Sequence, residues 1–315
     1  MTWFRFFFGH CLQGATIAIL RQLFTGNYCS KGRLEAVLSK TLKFRGDLVL
    51  DQVKYIVAVA SGKGGVGKST TAVNLALALQ GAGKKVGLLD ADIYGPSIAM
   101  MLGVPEGTRP KAADEKHFAP IEAHGLKTMS MAYLVTDQTP MAWRGPMAAG
   151  ALQQLLGQTM WGELDILVVD MPPGTGDIQL TLAQKAQVSG AVIVTTPQDI
   201  ALLDAKKGIE MFLKVKIPVL GIVENMAVHI CSECGHSEAI FGDGGGANVA
   251  QQYETKLLGS LPLDRSIREN GDRGLPSVIA ETDGAIAQHY AQIAQSVIAE
   301  LEVGDDSAGP EIVFQ

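Results

Sequence analysis

The sequence predicts an α/β fold in which a mostly parallel sheet carries helices on both faces. Short, continuous apolar segments rich in Val and Ile alternate with segments of helical periodicity, as expected for buried parallel strands and their crossover helices. Polar motifs directly follow several of the apolar segments. Ligands of such sheets bind beyond the carboxyl ends of the strands. We therefore expect the polar motifs to lie together at one edge of the sheet.

The predicted elements follow one another in a regular order from residue 54 onward. Each strand is assigned to a short apolar segment that ends at a glycine-rich loop, a carboxylate or a proline, and each helix has apolar side chains at helical spacing. The strands are residues 55–60, 85–89, 166–169, 191–195, 219–223 and 257–260. The helices are residues 69–80, 178–187, 202–213 and 285–301.

Composition and charge exclude several classes of protein. The chain has 315 residues, of which 47% are hydrophobic and 18% charged, so it is not a disordered protein. The formal net charge of -6 argues against broad electrostatic binding to nucleic acid. Because no apolar run reaches about 18 residues, we expect no integral membrane span.

The first fifty residues differ from the remainder. Residues 1–34 contain no Asp or Glu but carry four basic residues, Arg5, Arg21, Lys31 and Arg33. This composition fits an organelle transit peptide, a membrane-surface segment, a non-native extension or the remnant of an upstream domain. We therefore divide the chain into a leader (1–50), an α/β domain (51–303) and a C-terminal tail (304–315). The expected location is the cytoplasm, or the mitochondrial matrix if residues 1–34 are a transit peptide.

A phosphate-binding loop is the strongest chemical signal. The loop follows the first strand, opens the first helix and fits G-x-x-x-x-G-K-[ST], which is the context that supports this motif. Its glycines let several N–H groups face one anion, and the helix dipole adds to the attraction. Lys68 is expected to reach the β- and γ-phosphates. The predicted nucleotide-binding residues are Gly62, Lys63, Gly64, Gly65, Val66, Gly67, Lys68, Ser69 and Thr70.

A magnesium site is expected beside this loop. Ser69 supplies a hydroxyl, and Asp170 ends a strand and begins the run D-M-P-P-G-T-G-D. Carboxylates and hydroxyls are suitable ligands for Mg²⁺ next to a nucleotide. Gly174, within the run, allows a backbone N–H to approach a γ-phosphate.

Cys231 and Cys234 form a C-x-x-C, for which the residues leave three interpretations. A [4Fe–4S] cluster is normally held by four thiolates, so two chains of a homodimer could share one cluster. Cys11 and Cys29 lie in the leader and are poor candidates. A zinc site is the second interpretation, with His229 and His236 as the further ligands. The third is a thioredoxin-like redox pair, which normally opens a helix in another fold.

The string K-G-G-V-G-K-S resembles the deviant Walker-A family of dimeric ATPases, which includes septum-site and partition ATPases and nitrogenase iron protein. The resemblance implies that Lys63 contacts the nucleotide across the dimer and that Asp92 orients the attacking water. It also implies that Asp90 lies near Mg²⁺ and that Asn225 contacts adenine, with residues 262–264 as a second base-side loop. The expected catalytic residues are Lys63, Lys68 and Asp92, and the expected magnesium site is Ser69, Asp90 and Asp170.

The combination of D-A-D-I-Y-G-P-S (90–97), W-R-G-P (143–146), D-M-P-P-G-T-G-D (170–177) and the C-x-x-C closely resembles the Mrp/ApbC family of iron–sulfur cluster carriers, over about residues 52–303. That resemblance implies a homodimer that binds ATP and Mg²⁺ and holds a [4Fe–4S] cluster through Cys231 and Cys234. It implies an iron–sulfur scaffold as a partner and transfer of the cluster to recipient apoproteins with ATP hydrolysis. Residues 1–50 do not clearly resemble the small extra domain of many bacterial members.

Two rival functions remain at the level of the sequence. One is an ATPase switch of the septum-site or partition type, which does not require the C-x-x-C. Some of those proteins end in a basic amphipathic helix, whereas residues 285–301 here contain no Lys or Arg. The other is a zinc-stabilised scaffold, for which an intact phosphate loop would be superfluous.

Overall fold

The structure is a computed structural model that describes residue 50, residues 52–134 and residues 145–307. All of these residues fall within one compact unit of the chain, Leu48–Gln315. The predictions for the leader, for its two cysteines and for the motif at Trp143 and Arg144 lie outside the described residues. The same is true of residues 308–315 of the predicted tail.

The central element is a sheet of eight strands within the described ranges, in the order β10-β7-β6-β1-β5-β2-β4-β3. Neighbouring strands are parallel except β3 and β4, which form an antiparallel hairpin at one edge. The strands are β1 Val53–Ala60, β2 Val86–Asp90, β3 Ile121–Ala123, β4 Leu126–Ser130, β5 Leu164–Asp170, β6 Gly190–Thr195, β7 Val219–Glu224 and β10 Leu257–Ser260. A separate small hairpin is formed by β8 His229–Ile230 and β9 Ser237–Glu238. The doubly wound α/β fold expected from the sequence is confirmed.

Helices connect the strands and cover the sheet. In chain order they are α1 Lys68–Gly81, α2 Ile98–Met101, α3 Gly145–Gln158, α4 Asp177–Lys185, α5 Asp199–Lys214, α6 Gly245–Gln252, α7 Arg265–Asp272, α8 Ser277–Ala280 and α9 Ala285–Ser307. A single 3₁₀ turn, Met131–Tyr133, follows β4. No helix of the described ranges combines the length and the hydropathy that crossing a membrane requires.

Two apolar layers, one on each face of the sheet, explain why the strands are continuously apolar. Successive side chains of β1 point to opposite faces. Ile56 and Ala58 pack in a layer with Leu152 and Phe212, from α3 and α5. Val57 and Val59 pack on the other face in a layer that the helices α1 and α9 complete, with Val73, Leu77, Ile293 and Val297. Burial on both faces therefore removes the polar alternation that a half-exposed strand would show.

The six strands and four helices expected from the sequence are all present, with small differences at their ends. The helix predicted over 285–301 continues to Ser307, beyond the domain boundary placed at 303. Further elements were not predicted because they are short or begin in glycine-rich or polar sequence: β3, β4, β8, β9, α2, α3, α6, α7 and α8. Gly245 and Gly246 belong to the first turn of α6.

Candidate nucleotide site and cysteine hairpin

The phosphate loop runs from the end of β1 at Ala60 to the start of α1 at Lys68. Gly67 has a φ of 85°, in the left-handed region that favours glycine. A Cβ added to Gly67 would lie 2.1 Å from Nδ2 of Asn225, and one added to Gly62 would lie 2.1 Å from the carbonyl oxygen of Asp204. Both glycines are therefore required by close packing around the loop, as well as by its curvature.

Lys68 and Asp170 form a buried ion pair between α1 and the end of β5. Their Nζ and Oδ1 atoms are 2.6 Å apart, and the side chains are 6% and 0% exposed. Lys68 Nζ also donates a hydrogen bond of 3.1 Å to Oγ of Ser69. Burial raises the pKa of Asp170, while the Lys68 ammonium opposes that rise. Lysine, serine and aspartate of the predicted site are thus in direct contact.

The second oxygen of Asp170, Oδ2, is buried and has no hydrogen-bond partner within the described part of the chain. A buried carboxylate oxygen without a partner is unfavourable and is a suitable ligand for a hard cation. Ser69 provides a hydroxyl oxygen nearby. The donor set of Ser69 and Asp170 therefore fits magnesium, which prefers oxygen ligands next to phosphates.

Asp90 lies beside Asp170 at the carboxyl edge, because β2 and β5 pair in register at these two residues. Its Oδ1 accepts a hydrogen bond from the N–H of Asp92, and its Oδ2 accepts from the N–H groups of Ser97 and Ile98. Burial, followed by the charge of Asp170, raises the pKa of Asp90 to about 7. The carboxyl group therefore fixes both ends of the loop that carries the half-buried Asp92.

The loop after Asp170 lies against the phosphate loop. The N–H of Gly174 donates a 3.0 Å hydrogen bond to the carbonyl oxygen of Ser61, and Gly174 has a φ of 98°. The buried side chain of Gln179 donates from Nε2 to the carbonyl oxygen of Pro173 at 2.7 Å. Gln179 could not be predicted from the sequence, because an isolated glutamine at the start of a helix carries no distinguishing pattern.

A cavity of about 260 Å³ opens beside the phosphate loop. Its lining includes Gly67, Thr70, Asn225 and the loop 262–264, and the base-contacting role of Asn225 and that loop stays a prediction. Asn225 is fixed there because its Nδ2 donates a 2.8 Å hydrogen bond to the carbonyl oxygen of Val66. The cavity also includes side chains that the sequence did not indicate, from α2 and α7: Met100, Met101, Ile267, Arg268 and Asp272.

Lys63 is half-buried at the start of the phosphate loop. The hydroxyl of Ser61 donates a 2.8 Å hydrogen bond to the backbone carbonyl oxygen of Lys63, which fixes the loop at this point. No ion pair of the Lys63 side chain occurs among the residues that the structure describes. Its ammonium group is therefore separate from the Lys68–Asp170 pair.

The two cysteines lie on the turn of the β8–β9 hairpin. Cys231 N–H donates to the carbonyl oxygen of His236, and Gly235 N–H donates to the carbonyl oxygen of Cys231, both at 2.9 Å. Cys231 is half-buried and Cys234 is exposed, and both are free thiols. Hydrogen bonds from the N–H groups of Cys234 and Glu233 lower the pKa of Cys231, which favours the thiolate form that binds metals.

The four side chains of the zinc interpretation do not converge. His229 places its Nδ1 3.2 Å from the carbonyl oxygen of Leu263, and His236 is exposed on the hairpin. No group of three or more His, Cys, Asp or Glu side chains within the described ranges is arranged to hold a metal ion. The C-x-x-C therefore offers two ligands rather than four in this conformation.

The fold and the phosphate loop define the class of protein: the chain is a P-loop NTPase. Its residues 52–298 match the sequence model of the family described as ParA, NUBPL iron-transfer P-loop NTPase. The match covers well over half of the chain, and the protein belongs to that family.

Proteins of known name or structure agree with this assignment. The chain is 66% identical over 245 residues to an iron–sulfur cluster carrier protein of Pseudomonas fragi, covering 78% of this chain and 85% of that protein. It is 46% identical over 297 residues to an Arabidopsis thaliana mitochondrial iron–sulfur protein required for NADH dehydrogenase, covering 91% and 92%. A nucleotide-binding protein of Archaeoglobus fulgidus in complex with ADP is 38% identical, with a TM-score of 0.66, covering 76% and 93%.

Septum-site ATPases share the fold alone. Their structures match with TM-scores of 0.56 to 0.58 and are only 21–23% identical to this chain. The resemblance to the family of iron–sulfur cluster carriers, expected from the sequence motifs, is thus confirmed.

Proposed function

We propose that this protein is an ATP-dependent iron–sulfur cluster carrier that holds a [4Fe–4S] cluster between the two chains of a homodimer. The cluster is its cargo, received from an iron–sulfur scaffold and delivered to recipient apoproteins. The observation that carries the proposal is the cysteine hairpin. It presents two free thiols at the surface of a domain that also contains a phosphate loop.

The nucleotide half of the proposal rests on the Lys68–Asp170 pair. In the described conformation, Asp170 forms an ion pair with the Lys68 ammonium group, which is the group expected to contact phosphate. With ATP bound, Lys68 would contact the β- and γ-phosphates, and Asp170 and Ser69 would hold Mg²⁺, with Asp90 beside them. Phosphate would then replace the Asp170 carboxylate as the partner of Lys68. The metal ion would replace the Lys68 ammonium as the partner of Asp170. Magnesium supplies charge stabilisation for the transferred phosphoryl group.

Hydrolysis is assigned to Asp92, Lys68 and Lys63. Asp92 follows the fixed carboxyl of Asp90 and lies close enough for its charge to raise the pKa of Asp170. We propose that it orients the attacking water. Lys63 has no ion pair within the described residues, and we propose that it reaches the nucleotide of the partner chain.

The cluster half of the proposal rests on ligand number. One hairpin offers two thiolates, whereas a [4Fe–4S] cluster takes about four. A two-fold axis through the cluster would supply the missing pair from a second copy of the chain. Exchange of ADP for ATP would then change the relation of the two chains, and with it the retention of the cluster.

The family assignment favours this function over the septum-site or partition switch, which shares only the fold. The zinc scaffold is disfavoured because His229 and His236 do not converge with the two cysteines. The redox pair is disfavoured because the C-x-x-C lies in a β-hairpin turn and not at the start of a helix. For the location, we propose the cytoplasm, or the mitochondrial matrix if residues 1–34 are a transit peptide; one relative, that of Arabidopsis thaliana, is named as mitochondrial.

The test is iron analysis and visible spectroscopy of anaerobically reconstituted full-length protein. Wild type should approach about four irons per dimer, with a broad thiolate-to-iron absorption. Cys231→Ala or Cys234→Ala should abolish both signals, because each change removes two ligands from a shared cluster. The same variants should still bind ADP, since the phosphate loop is a separate element.

Cys11→Ala and Cys29→Ala serve as matched controls and should leave the cluster intact. Zinc without iron after attempted reconstitution would reject the cluster. If such zinc survived in His229→Ala and His236→Ala variants, the four-ligand zinc site would be rejected as well.

A further inference from the structure

The cysteine hairpin is joined at its base to the loop that borders the nucleotide cavity. Beyond the end of β7, the N–H of Ala227 donates a 2.9 Å hydrogen bond to the carbonyl oxygen of Leu261. The N–H of Leu263 donates a 2.8 Å hydrogen bond to the carbonyl oxygen of Val228. The ring of His229 adds a third contact, from Nδ1 to the carbonyl oxygen of Leu263 at 3.2 Å.

Leu263 belongs to both sites. It lines the cavity together with Pro262 and Asp264, and it accepts the hydrogen bond of the first residue of the hairpin. Asp264 in turn caps α7, because its Oδ1 accepts a 2.7 Å hydrogen bond from the N–H of Ser266. A nucleobase bound in the cavity would contact a loop that is fixed to a helix on one side and to the cysteine hairpin on the other.

We propose that His229 is a positioning residue that couples occupancy of the nucleotide cavity to the conformation of the cysteine hairpin. The inference rests on the proposed function, because it requires nucleotide to bind in this cavity. His229 acts through the Leu263 carbonyl group and does not ligate a metal. It begins β8, two residues before Cys231, so a displacement of the 262–264 loop reaches the thiols over a short segment.

The chemistry of the contact determines the proton position on the ring. A carbonyl oxygen can only accept, so Nδ1 must carry the proton, and the neutral ring then has its lone pair on Nε2. The contact with Leu263 uses Nδ1 alone. A side chain that offers only an N–H donor at the position of Nδ1 should therefore keep the coupling. Asparagine provides such a donor and lacks an equivalent of Nε2.

The experiment measures the reactivity of the hairpin thiols in the cluster-free, full-length protein. Cys11→Ala and Cys29→Ala are introduced so that labelling reports only Cys231 and Cys234. The rate of alkylation is measured without nucleotide and with saturating Mg²⁺–ADP, and the ratio of the two rates is the coupling signal. Calorimetry on the same samples measures ADP affinity independently.

The variants separate positioning from ligation. His229→Ala should bring the ratio of the two alkylation rates closer to one, by a factor of roughly 2 to 10, which corresponds to the loss of one hydrogen bond. His229→Asn should retain the ratio of the background protein. His236→Ala, a change at the exposed histidine of the same hairpin, is the matched control and should also retain it. Every variant should still bind ADP in calorimetry, so each ratio is measured at a saturating concentration; for His229→Ala the affinity shifts by no more than the coupling that is lost.

Each outcome decides the inference. It is overturned if His229→Ala keeps the full ratio, or if His229→Asn loses it as completely as His229→Ala does. It is also overturned if ADP binds but leaves labelling of the background protein unchanged, a result that spares nucleotide binding. Failure of ADP to bind at all would overturn the proposed function itself.

Discussion

Replacement of Lys68 by alanine should have two separable effects, on stability and on nucleotide affinity. In the described conformation, Lys68 Nζ is 2.6 Å from Asp170 Oδ1, and neither side chain is more than 6% exposed. Breaking a buried pair by removing one partner costs about 3–5 kcal/mol, because the remaining charge is left without compensation. Asp170 is an extreme case, since its Oδ2 already has no partner among the described residues.

The expected loss of affinity for Mg²⁺–ADP is smaller. A charge-assisted hydrogen bond to phosphate contributes about 1.5–3 kcal/mol, which corresponds to roughly 10- to 100-fold in affinity. Because Lys68 must exchange Asp170 for phosphate on binding, the loss should lie toward the lower end of that range. Lys68→Ala should therefore lower the free energy of unfolding by more than it lowers the free energy of ADP binding. An exposed lysine that contacts only the ligand would show the reverse.

Urea unfolding and isothermal titration on the same samples measure the two effects. Lys68→Ala combined with Asp170→Asn should recover part of the lost stability, because the buried charge is removed with its partner. Lys85→Ala is the matched control, since its ion pair with Glu163 is 64% and 79% exposed, and it should change neither measurement appreciably. A Lys68→Ala protein that unfolds like wild type, or that binds ADP with unchanged affinity, would contradict the role assigned to this pair.

Three further predictions concern the same site. Asp92→Asn should bind ATP but hydrolyse it slowly in a phosphate-release assay. If the variant hydrolyses ATP at the wild-type rate, another residue orients the attacking water. A heterodimer of Lys63→Ala with Lys68→Ala should recover part of the ATPase activity, provided that the chains exchange and one intact site suffices. No recovery in verified heterodimers would favour action within one chain or obligatory coupling of the two sites. Gly67→Ala should abolish detectable ADP binding in calorimetry, because its Cβ would meet Asn225 Nδ2 at 2.1 Å in a backbone of positive φ, and retained affinity would show that the loop can rearrange.

The strands and the phosphate loop could be predicted from the sequence because their signals are local. A continuous apolar run needs burial on both faces, and a glycine-rich turn between a strand and a helix has few other uses. The edge hairpin of β3 and β4 was missed since Leu126–Ser130 is short and contains Lys127 and Thr128. Helix α3 was missed because it begins at Gly145 and Pro146, which resemble a loop.

The roles of individual residues divide in the same way. The sequence indicated Lys68, Asp170 and the two cysteines, because each lies in a motif whose chemistry is recognisable from spacing alone. It gave no sign of Gln179, which supports the loop after Asp170 from within a helix. These assignments stay predictions until the variants described above are measured.

The class of chemistry is encoded locally in the chain: a phosphate loop opens a helix, carboxylates end strands, and two thiols form a C-x-x-C. Which of these groups come into contact depends on the assembled fold. Strand order places β1 between β5 and β6, so Lys68 meets Asp170 across 102 residues of chain and Asn225 meets Val66 across 159. The contact of His229 with Leu263 likewise spans 34 residues. Side-chain periodicity records which face of an element is buried but not which strands become neighbours, and for that reason these contacts required the assembled sheet.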